Sequence, residues 1–156
     1  MQKRILTMLL MVVMLFTSMM CWEVNVNAQE EEDVAMSEIM TEDALIGYAQ
    51  SQTWGVYLSD GHSVINKISS SKVGAGGVTN AAKKCTVKVA SMLERKNASG
   101  SWEMVTSWTQ TNQNAYIAML SKSVAVASGY YYRVRSYHYA GTDTASSNTS
   151  ALWIGN

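Results

Sequence analysis

The sequence predicts an all-β protein, an antiparallel β-sandwich of about seven strands. From about residue 54 onward, short segments alternate apolar and polar residues, which is the period of a strand with one buried face. Turn-forming glycine, asparagine and serine residues separate these segments at fairly even intervals. No segment between them has the apolar spacing of a long helix, so a sandwich or barrel is favoured over a mixed fold.

The N-terminal residues 1–28 are predicted to form a secretory signal peptide. Lys3 and Arg4 give it a positive start, and residues 5–20 are apolar. Val26-Asn27-Ala28 then offers small residues at the cleavage site. A membrane anchor is the competing interpretation, but the apolar run is shorter than the roughly 20 residues of a membrane span. We therefore expect a secreted, extracellular protein that has no membrane span after cleavage.

Acidic residues crowd the start of the predicted mature chain, and basic residues follow them. Seven acidic residues lie within residues 29–43, which we interpret as a disordered acidic leader. Residues 44–156, the predicted sandwich domain, hold ten basic and four acidic residues, a net charge of +6. Such a charge favours anionic partners or simply keeps the domain soluble, and the sequence leaves both explanations open.

The strands of the domain are assigned in chain order. Predicted strands cover residues 54–61, 64–68, 84–96, 102–111, 115–126, 129–141 and 150–154. Asn97-Ala98-Ser99-Gly100 is expected to form a hairpin turn, and Gly74-Ala75-Gly76-Gly77 a bend or bulge. Residues 142–147 are expected to form a polar loop. Cys85 lies in phase with two valines, which favours a small buried residue over a reactive or intermolecular thiol.

The segment 129–141, GYYYRVRSYHYAG, has the strongest strand pattern and two different faces. A period of two places one set of side chains toward the core: Tyr130, Tyr132, Val134, Ser136 and His138. The other set points outward and forms what we call the tyrosine–arginine stripe: Tyr131, Arg133, Arg135, Tyr137 and Tyr139. Structural roles are expected for five residues here and in the predicted strand 102–111: Tyr130, Tyr132, Val134, Trp102 and Trp108.

Part of this segment is similar to a strand of a known sandwich family. Gly129-Tyr130-Tyr131-Tyr132-Arg133-Val134-Arg135-Ser136, followed by Ala140-Gly141, resembles the sixth strand of fibronectin type III domains, which are Ig-like sandwiches. The resemblance covers the C-terminal half of the chain. It implies that Tyr130 is a tyrosine corner, whose hydroxyl bonds back to the preceding turn.

A second resemblance extends over the whole mature chain. The chain is similar to small secreted proteins of Gram-positive gut bacteria that have no assigned function. The matching pieces are Lys72-Val73-Gly74-Ala75-Gly76-Gly77-Val78-Thr79, Gly100-Ser101-Trp102, Asn114-Ala115-Tyr116 and Gly129-Tyr130-Tyr131-Tyr132-Arg133-Val134. This resemblance implies a compartment but no activity.

No catalytic, metal or cofactor site is predicted. His62 and His138 lack the neighbouring ligands that a metal site requires, and His138 is expected to be a partly buried, hydrogen-bonded histidine. No serine lies in a Gly-x-Ser-x-Gly elbow. Glu94 and Glu103 flank the predicted turn as paired carboxylates would, but Glu94-Arg95-Lys96 is more simply a solvated strand end. We therefore expect no enzyme activity and no cofactor.

The tyrosine–arginine stripe leaves two interpretations open. Flat rings and guanidinium forks suit a cell-wall polymer, an anionic glycan or another secreted protein. Ordinary cross-strand packing is the structural alternative. The absence of a nucleic-acid-binding motif argues against nucleic acid. The sequence thus predicts a secreted, non-enzymatic binding or interaction module. The alternative is a bacteriocin-like or membrane-active antagonist released from its acidic leader.

Overall fold

The computed structural model describes residues 30–50 and 55–156, which form strands and one short helix. The elements are β1 (Glu31–Asp33), α1 (Met36–Ile39), β2 (Leu45–Tyr48), β3 (Leu58–Ser69), β4 (Lys72–Lys96), β5 (Trp102–Ala125), β6 (Tyr130–Ala140), β7 (Asp143–Asn148) and β8 (Leu152–Ile154). Their strand pairings are antiparallel. The prediction of an all-β, sandwich-like fold is confirmed. The predicted signal peptide lies outside the described residues.

A long hairpin, β4–β5, is the scaffold of the fold. Its strands of 25 and 24 residues pair along most of their length. Residues 72–81 of β4 also pair with β3, whereas residues 87–95 pair with β6. The hairpin therefore contributes to two layers. The first layer adds β1, β2 and β3 to it, and the second layer adds β6, β7 and β8.

The hairpin bends where its register is irregular. Asn80 lies opposite Ile117 and Cys85 opposite Ala115, so that four residues of β4 face a single residue of β5. Asn114 beside this bulge has a φ of 48°, a left-handed conformation that asparagine tolerates. A bulge of this kind sharply bends a strand pair. The sequence predicted two strands in residues 102–126, and the structure joins them into the bent β5.

The core lies between the two layers. Ile65 and Val73 of the first layer pack in one buried cluster with Leu93, Tyr132 and Val134 of the second layer. A smaller cluster lies nearer the bend: Leu58, Ala81, Val87, Val89, Ala118 and Ala140. These side chains are at most 8% exposed, so both clusters exclude water. The alternating residues that predicted the strands are therefore the ones that join the layers.

The acidic N-terminal segment was predicted to be a disordered leader, and in the structure it is part of the fold. β1 pairs with residues 122–124 of β5. Glu32 forms an ion pair with Lys72 at 3.1 Å, and Asp33 one with Lys122 at 2.6 Å. Composition indicated disorder because the acidic residues have no local partners. Their partners are basic residues 40 and 89 positions later in the sequence.

Glycines of β4 make room for the helix α1. Ile39 is fully buried on the outer face of the first layer, where Gly74 and Gly76 have no side chains. A Cβ atom on Gly76 would lie 3.0 Å from Cδ1 of Ile39, and one on Gly74 would collide with the same side chain. The predicted bend at residues 74–77 is therefore wrong. These glycines lie within a regular strand and form a groove that Ile39 fills.

Replacement of Ile39 with alanine tests this packing. The change leaves a cavity over the glycine groove, and we expect the free energy of unfolding to fall by about 2 kcal/mol. Urea unfolding followed by tryptophan fluorescence measures the loss. The matched control is Met40→Ala, because Met40 is 44% exposed and next in sequence. Equal stability of the two variants would contradict the integration of this segment into the fold.

Two further segments differ from the sequence prediction. Residues 142–147, predicted as a polar loop, mostly belong to β7, which pairs with β6 after a tight turn at Gly141, where φ is 56°. The two strands predicted within residues 54–68 merge into the single strand β3, which begins at Leu58, and residue 54 lies outside the described residues. In both cases a neighbouring strand satisfies the backbone of a polar segment, which composition alone does not show.

Candidate functional site

The two faces of β6 alternate as predicted from Tyr132 onward. Tyr132, Val134, Ser136, His138 and Ala140 are at most 1% exposed. On the opposite face, Tyr131 is 46% and Tyr137 38% exposed, and Arg133, Arg135 and Tyr139 are partly buried. The structure therefore places the tyrosine–arginine stripe on the outer face of the second layer.

The tyrosine corner is formed by Tyr132, not by the predicted Tyr130. The hydroxyl of Tyr132 donates a hydrogen bond to the carbonyl oxygen of Ala127 at 2.8 Å. Burial raises the pKa of the Tyr132 hydroxyl above its usual value. Tyr130 is 38% exposed because it stands at the first residue of β6, at the margin of the core, where the Arg95 guanidinium stacks on its ring at 4.5 Å.

Both arginines of the stripe share one carboxylate. Glu94 of β4 lies opposite Arg133 and binds its Nε at 2.6 Å, and Oε1 of Glu94 lies 3.2 Å from Arg135. Glu94 is only 7% exposed, so the interpretation of this residue as part of a solvated strand end is wrong. The guanidinium of Arg133 also stacks on the Trp102 ring at 4.2 Å. The arginines cover Glu94, and Glu94 fixes their positions.

The two tryptophans predicted to be structural lie on opposite faces of β5. A register shift opposite Leu93 and Glu94 breaks the alternation between them. Trp102 faces outward under Arg133. Trp108 packs against the core and donates a hydrogen bond from Nε1 to Glu31 at 2.8 Å. Trp102 therefore belongs to the stripe surface, which the sequence did not indicate.

A concave surface lies at each end of the stripe. The first, which we call the end pocket, has a volume of about 230 Å³ between the β4–β5 turn, the start of β6 and Trp153 of β8. The second, of about 360 Å³, is lined by Tyr137 and Tyr139 and by residues of β7. Lys88 stacks on the ring of Tyr139 at 3.9 Å. Since a strand rises about 3.3 Å per residue, roughly 20 Å separate Tyr131 from Tyr137.

Positive charge is concentrated on the stripe surface, although the protein as a whole is nearly neutral. Because the acidic segment is part of the fold, residues 30–156 hold ten basic and eleven acidic residues, a net charge of −1 in place of +6 for residues 44–156. The stripe surface, however, carries Lys88 on the Tyr139 ring, and its Arg133 and Arg135 share the one carboxylate of Glu94. The stripe is thus a positive area on a nearly neutral protein.

A chain of buried hydroxyl groups crosses the interior beneath the stripe. Neighbouring side chains along it are 2.6 to 2.9 Å apart, in the order Ser91, Ser136, Ser63, Ser147, His138 and Thr79. Burial and, to a lesser extent, the nearby His62 together lower the pKa of His138 to about 4. His138 is therefore neutral at pH 7. The predicted hydrogen-bonded histidine is present, fully buried.

Ser147 and His138 have the spacing of a nucleophile and its base, at 2.8 Å, but not the environment. Ser147 is 3% exposed and His138 is not exposed at all, so a substrate does not reach them. The second ring nitrogen of His138 contacts the Thr79 hydroxyl rather than a carboxylate, which gives little support to a charged imidazole. The chain of hydroxyl groups therefore serves the fold, by satisfying polar groups inside the sandwich.

Cys85 is partly buried at the hairpin bend and packs against the smaller core cluster, so it is less buried than its phase predicted. Within residues 30–50 and 55–156, no three His, Cys, Asp or Glu side chains gather as metal ligands would. In the same part of the chain, no helix has the length and apolar character needed to cross a membrane.

Comparison with known proteins gives one family match. The model of a family of unknown function, DUF6147, matches residues 33–152. No curated protein and no solved structure matches the chain. The family match begins at the last residue of β1 and ends at the first residue of β8, so it includes α1, strands β2 to β7 and the stripe. The chain therefore belongs to the DUF6147 family of proteins of unknown function.

Proposed function

We propose that this protein is a secreted, non-enzymatic binding module whose stripe surface holds an anionic polymer, such as a cell-wall polymer or an acidic glycan. One observation carries the proposal: exposed aromatic rings stand at both ends of a single strand, and fixed guanidinium groups lie between them. Residues 1–28 act as the signal peptide. The proposal also includes the two resemblances described above, to secreted Gram-positive proteins and to fibronectin type III domains.

The arginines of the stripe are preorganised for an anion. Free arginine side chains lose conformational entropy when a ligand fixes them. Here Glu94 holds both side chains, and Trp102 supports Arg133 from below. The side chain of Arg135 is still 35% exposed, so part of its guanidinium fork faces solvent. A carboxylate or phosphate that binds there costs little further ordering.

The spacing of the two concave surfaces favours a polymer over a small molecule. Each surface has aromatic rings and a nearby lysine, namely Lys96 in the end pocket and Lys88 in the second. A ligand that reaches both must extend along β6 for about 20 Å. Several weak contacts along one chain then add to a useful affinity. Because the net charge is −1, this recognition depends on contact at the stripe rather than on long-range attraction.

The role of the acidic segment separates this proposal from the antagonist alternative. An antagonist released from its leader would lose residues 29–43 and be toxic. The burial of Ile39 and the pairing of β1 favour retention of the segment. Mass spectrometry of the secreted protein distinguishes the two: an N-terminus at Gln29 supports the binding module, and an N-terminus after residue 43 supports the antagonist.

Co-sedimentation with purified Gram-positive cell walls tests the binding surface. We expect Arg135→Gln to weaken binding about tenfold, because a charge-assisted contact is lost. Lys83→Gln is the charge-matched control, since Lys83 is exposed on the bulge of the bend, and we expect less than a twofold change. Tyr137→Ala and Tyr48→Ala form a second pair, because Tyr48 is an exposed tyrosine on the other layer.

Salt distinguishes specific binding from general adhesion in this experiment. The proposal is supported if added salt weakens binding and if the stripe variants bind less well while their control variants do not. Equal losses in the stripe variants and their controls would show that the wall attracts any positive charge on the protein. Full binding by Arg135→Gln and Tyr137→Ala would overturn the assignment of the stripe as the site.

A further inference from the structure

We propose that the end pocket is a subsite for one pyranose ring that carries a carboxylate. The sugar ring packs against the exposed faces of the Tyr131 and Trp153 rings, and its carboxylate pairs with the ammonium group of Lys96. The inference rests on the proposed function and names the chemical class of ligand at one end of the stripe. None of Tyr130, Trp153 and Lys96 was among the ligand-binding residues that the sequence indicated.

The aromatic walls of the pocket are fixed while their faces remain accessible. The rings of Tyr131 and Trp153 lie 5.0 Å apart at 58°, and each residue is nearly half exposed. The indole of Trp153 packs against Gly155, where a Cβ atom would lie 2.8 Å from Nε1. Arg95 supports the ring of Tyr130 from another side. Three aromatic rings are thus held in place around one concave space.

A sugar ring matches the shape and polarity of this space. A pyranose has an apolar face of C–H groups and a rim of hydroxyl groups, and tyrosine and tryptophan pair a flat apolar ring with one polar atom. The volume of about 230 Å³ is below the roughly 300–1,000 Å³ of pockets for drug-sized ligands. A single small ring therefore suits the pocket better than a bulky aromatic ligand.

The charge of the pocket selects an anionic sugar. Lys96 is the charged residue of its lining, and no described carboxylate lines it. Arg95, the neighbouring cation, is already bound through Nε to Glu103 at 2.9 Å. In the part of the chain that the structure describes, Lys96 takes part in no ion pair. A carboxylate on the bound ring can therefore pair with this exposed and otherwise unpaired ammonium group.

The β4–β5 turn positions the polar side of the pocket. Asn97 Oδ1 accepts hydrogen bonds from the backbone N–H groups of Ser99 and Ser101 at 3.1 and 2.9 Å. Gly100 completes the turn with a φ of 83°, which glycine adopts without strain. Because the turn is braced in this way, Lys96 and Asn97 lie on rigid backbone. The backbone of the pocket is therefore in place before the ligand binds.

Titration with trigalacturonate, followed in ¹H–¹⁵N NMR spectra, tests the subsite in the purified protein. The indole signal that is missing from the Trp153→Leu spectrum belongs to Trp153. We expect this signal to shift saturably with trigalacturonate and at least tenfold more weakly with neutral maltotriose. Lys96→Gln should remove the preference for the charged sugar. Trp153→Leu lacks the indole signal, so its binding is followed through the backbone amide signals, and it should bind both sugars at least tenfold more weakly.

A conservative pair and a distant control keep the test specific. Tyr131→Phe keeps a flat ring and should bind nearly as the original protein does, whereas Tyr131→Leu should lose binding about tenfold. Tyr48→Ala on the other layer should bind without change. Equal shifts with maltotriose and trigalacturonate would overturn the role of Lys96. Saturable binding that Trp153→Leu and Tyr131→Leu retain would overturn the pocket.

The failure of the subsite is distinguishable from failure of the proposed function. If trigalacturonate binding depends on Arg135 and Tyr137 but not on Trp153 and Lys96, the stripe binds the polymer and the end pocket does not. If cell walls do not bind the protein and trigalacturonate moves no signal, both proposals fail. A polyphosphate probe that competes at the Trp153 signal as well as trigalacturonate does would overturn the sugar assignment and leave a simple anion site.

Discussion

Replacing Glu94 with alanine is expected to lower the free energy of unfolding by about 4 kcal/mol. The carboxylate is 7% exposed and is shared by Arg133 and Arg135, so its removal leaves two partly buried guanidinium groups without a counter-charge. Urea unfolding at pH 7, followed by far-UV circular dichroism, measures the change. Glu94→Gln, which keeps one acceptor oxygen, should fall between the original protein and Glu94→Ala.

The neighbouring ion pair is the matched control for this prediction. Glu103 binds Arg95 on the adjacent strand, but its side chain is 40% exposed and that of Arg95 is 33% exposed. Exposed pairs of this kind contribute at most about 1 kcal/mol, so Glu103→Ala should cost far less than Glu94→Ala. Equal losses in the two variants would show that burial of Glu94 beneath the arginines adds nothing to stability.

Acidification is expected to remove about 3 kcal/mol of stability between pH 6.5 and pH 4 through His138 alone. Its pKa is lowered in the folded protein to about 4, mainly by burial, whereas the unfolded chain has the ordinary value of 6.5. The unfolded state therefore binds a proton more readily than the folded state. The stabilisation is complete above pH 6.5 and is lost as the pH falls toward 4.

Urea midpoints measured from pH 7.5 to pH 4 test this linkage. His138→Gln should be less stable at pH 7 because its contacts with Thr79 and Ser147 change, but its stability should vary less with pH. Some variation remains, because burial also lowers the pKa of His62. Below pH 4, Asp143 adds a further loss, since hydrogen bonds from Leu58 and Tyr57 lower the pKa of its carboxyl group. An unchanged slope in His138→Gln would contradict the assignment.

The sequence predicted correctly those features of the fold that depend on neighbouring residues alone, such as the two faces of β6 and the turn at residues 97–100. The alternation in β6 separates Val134 from Arg133 and Arg135 because successive side chains of a strand point to opposite faces. The turn at residues 97–100 follows from an asparagine that bonds its own backbone and a glycine with positive φ. Neither feature needs a distant partner, so both can be read from a short window of sequence.

The features that the sequence did not show depend on pairing across long distances. Glu94 forms a buried ion pair because the strand register places it opposite Arg133, 39 residues later in the sequence. Trp153 joined the stripe because β8 pairs with the start of β6 and places it opposite Tyr131. The glycines at 74 and 76 resembled a bend because Ile39, the residue that fills their groove, lies far earlier in the chain. Register and partner, rather than residue type, decided these roles.

The pairing of β1 with residues 122–124 of β5 has a consequence for the order in which the molecule assembles. A chain that leaves the ribosome N-terminus first presents Glu31 about 90 residues before Val124, its partner on β5, exists, and Ile39 about 35 residues before Gly74 and Gly76. Until then this segment remains available to chaperones and processing enzymes. Pairing of β1 therefore requires β5 to be present, and the acidic segment has no strand partner before then.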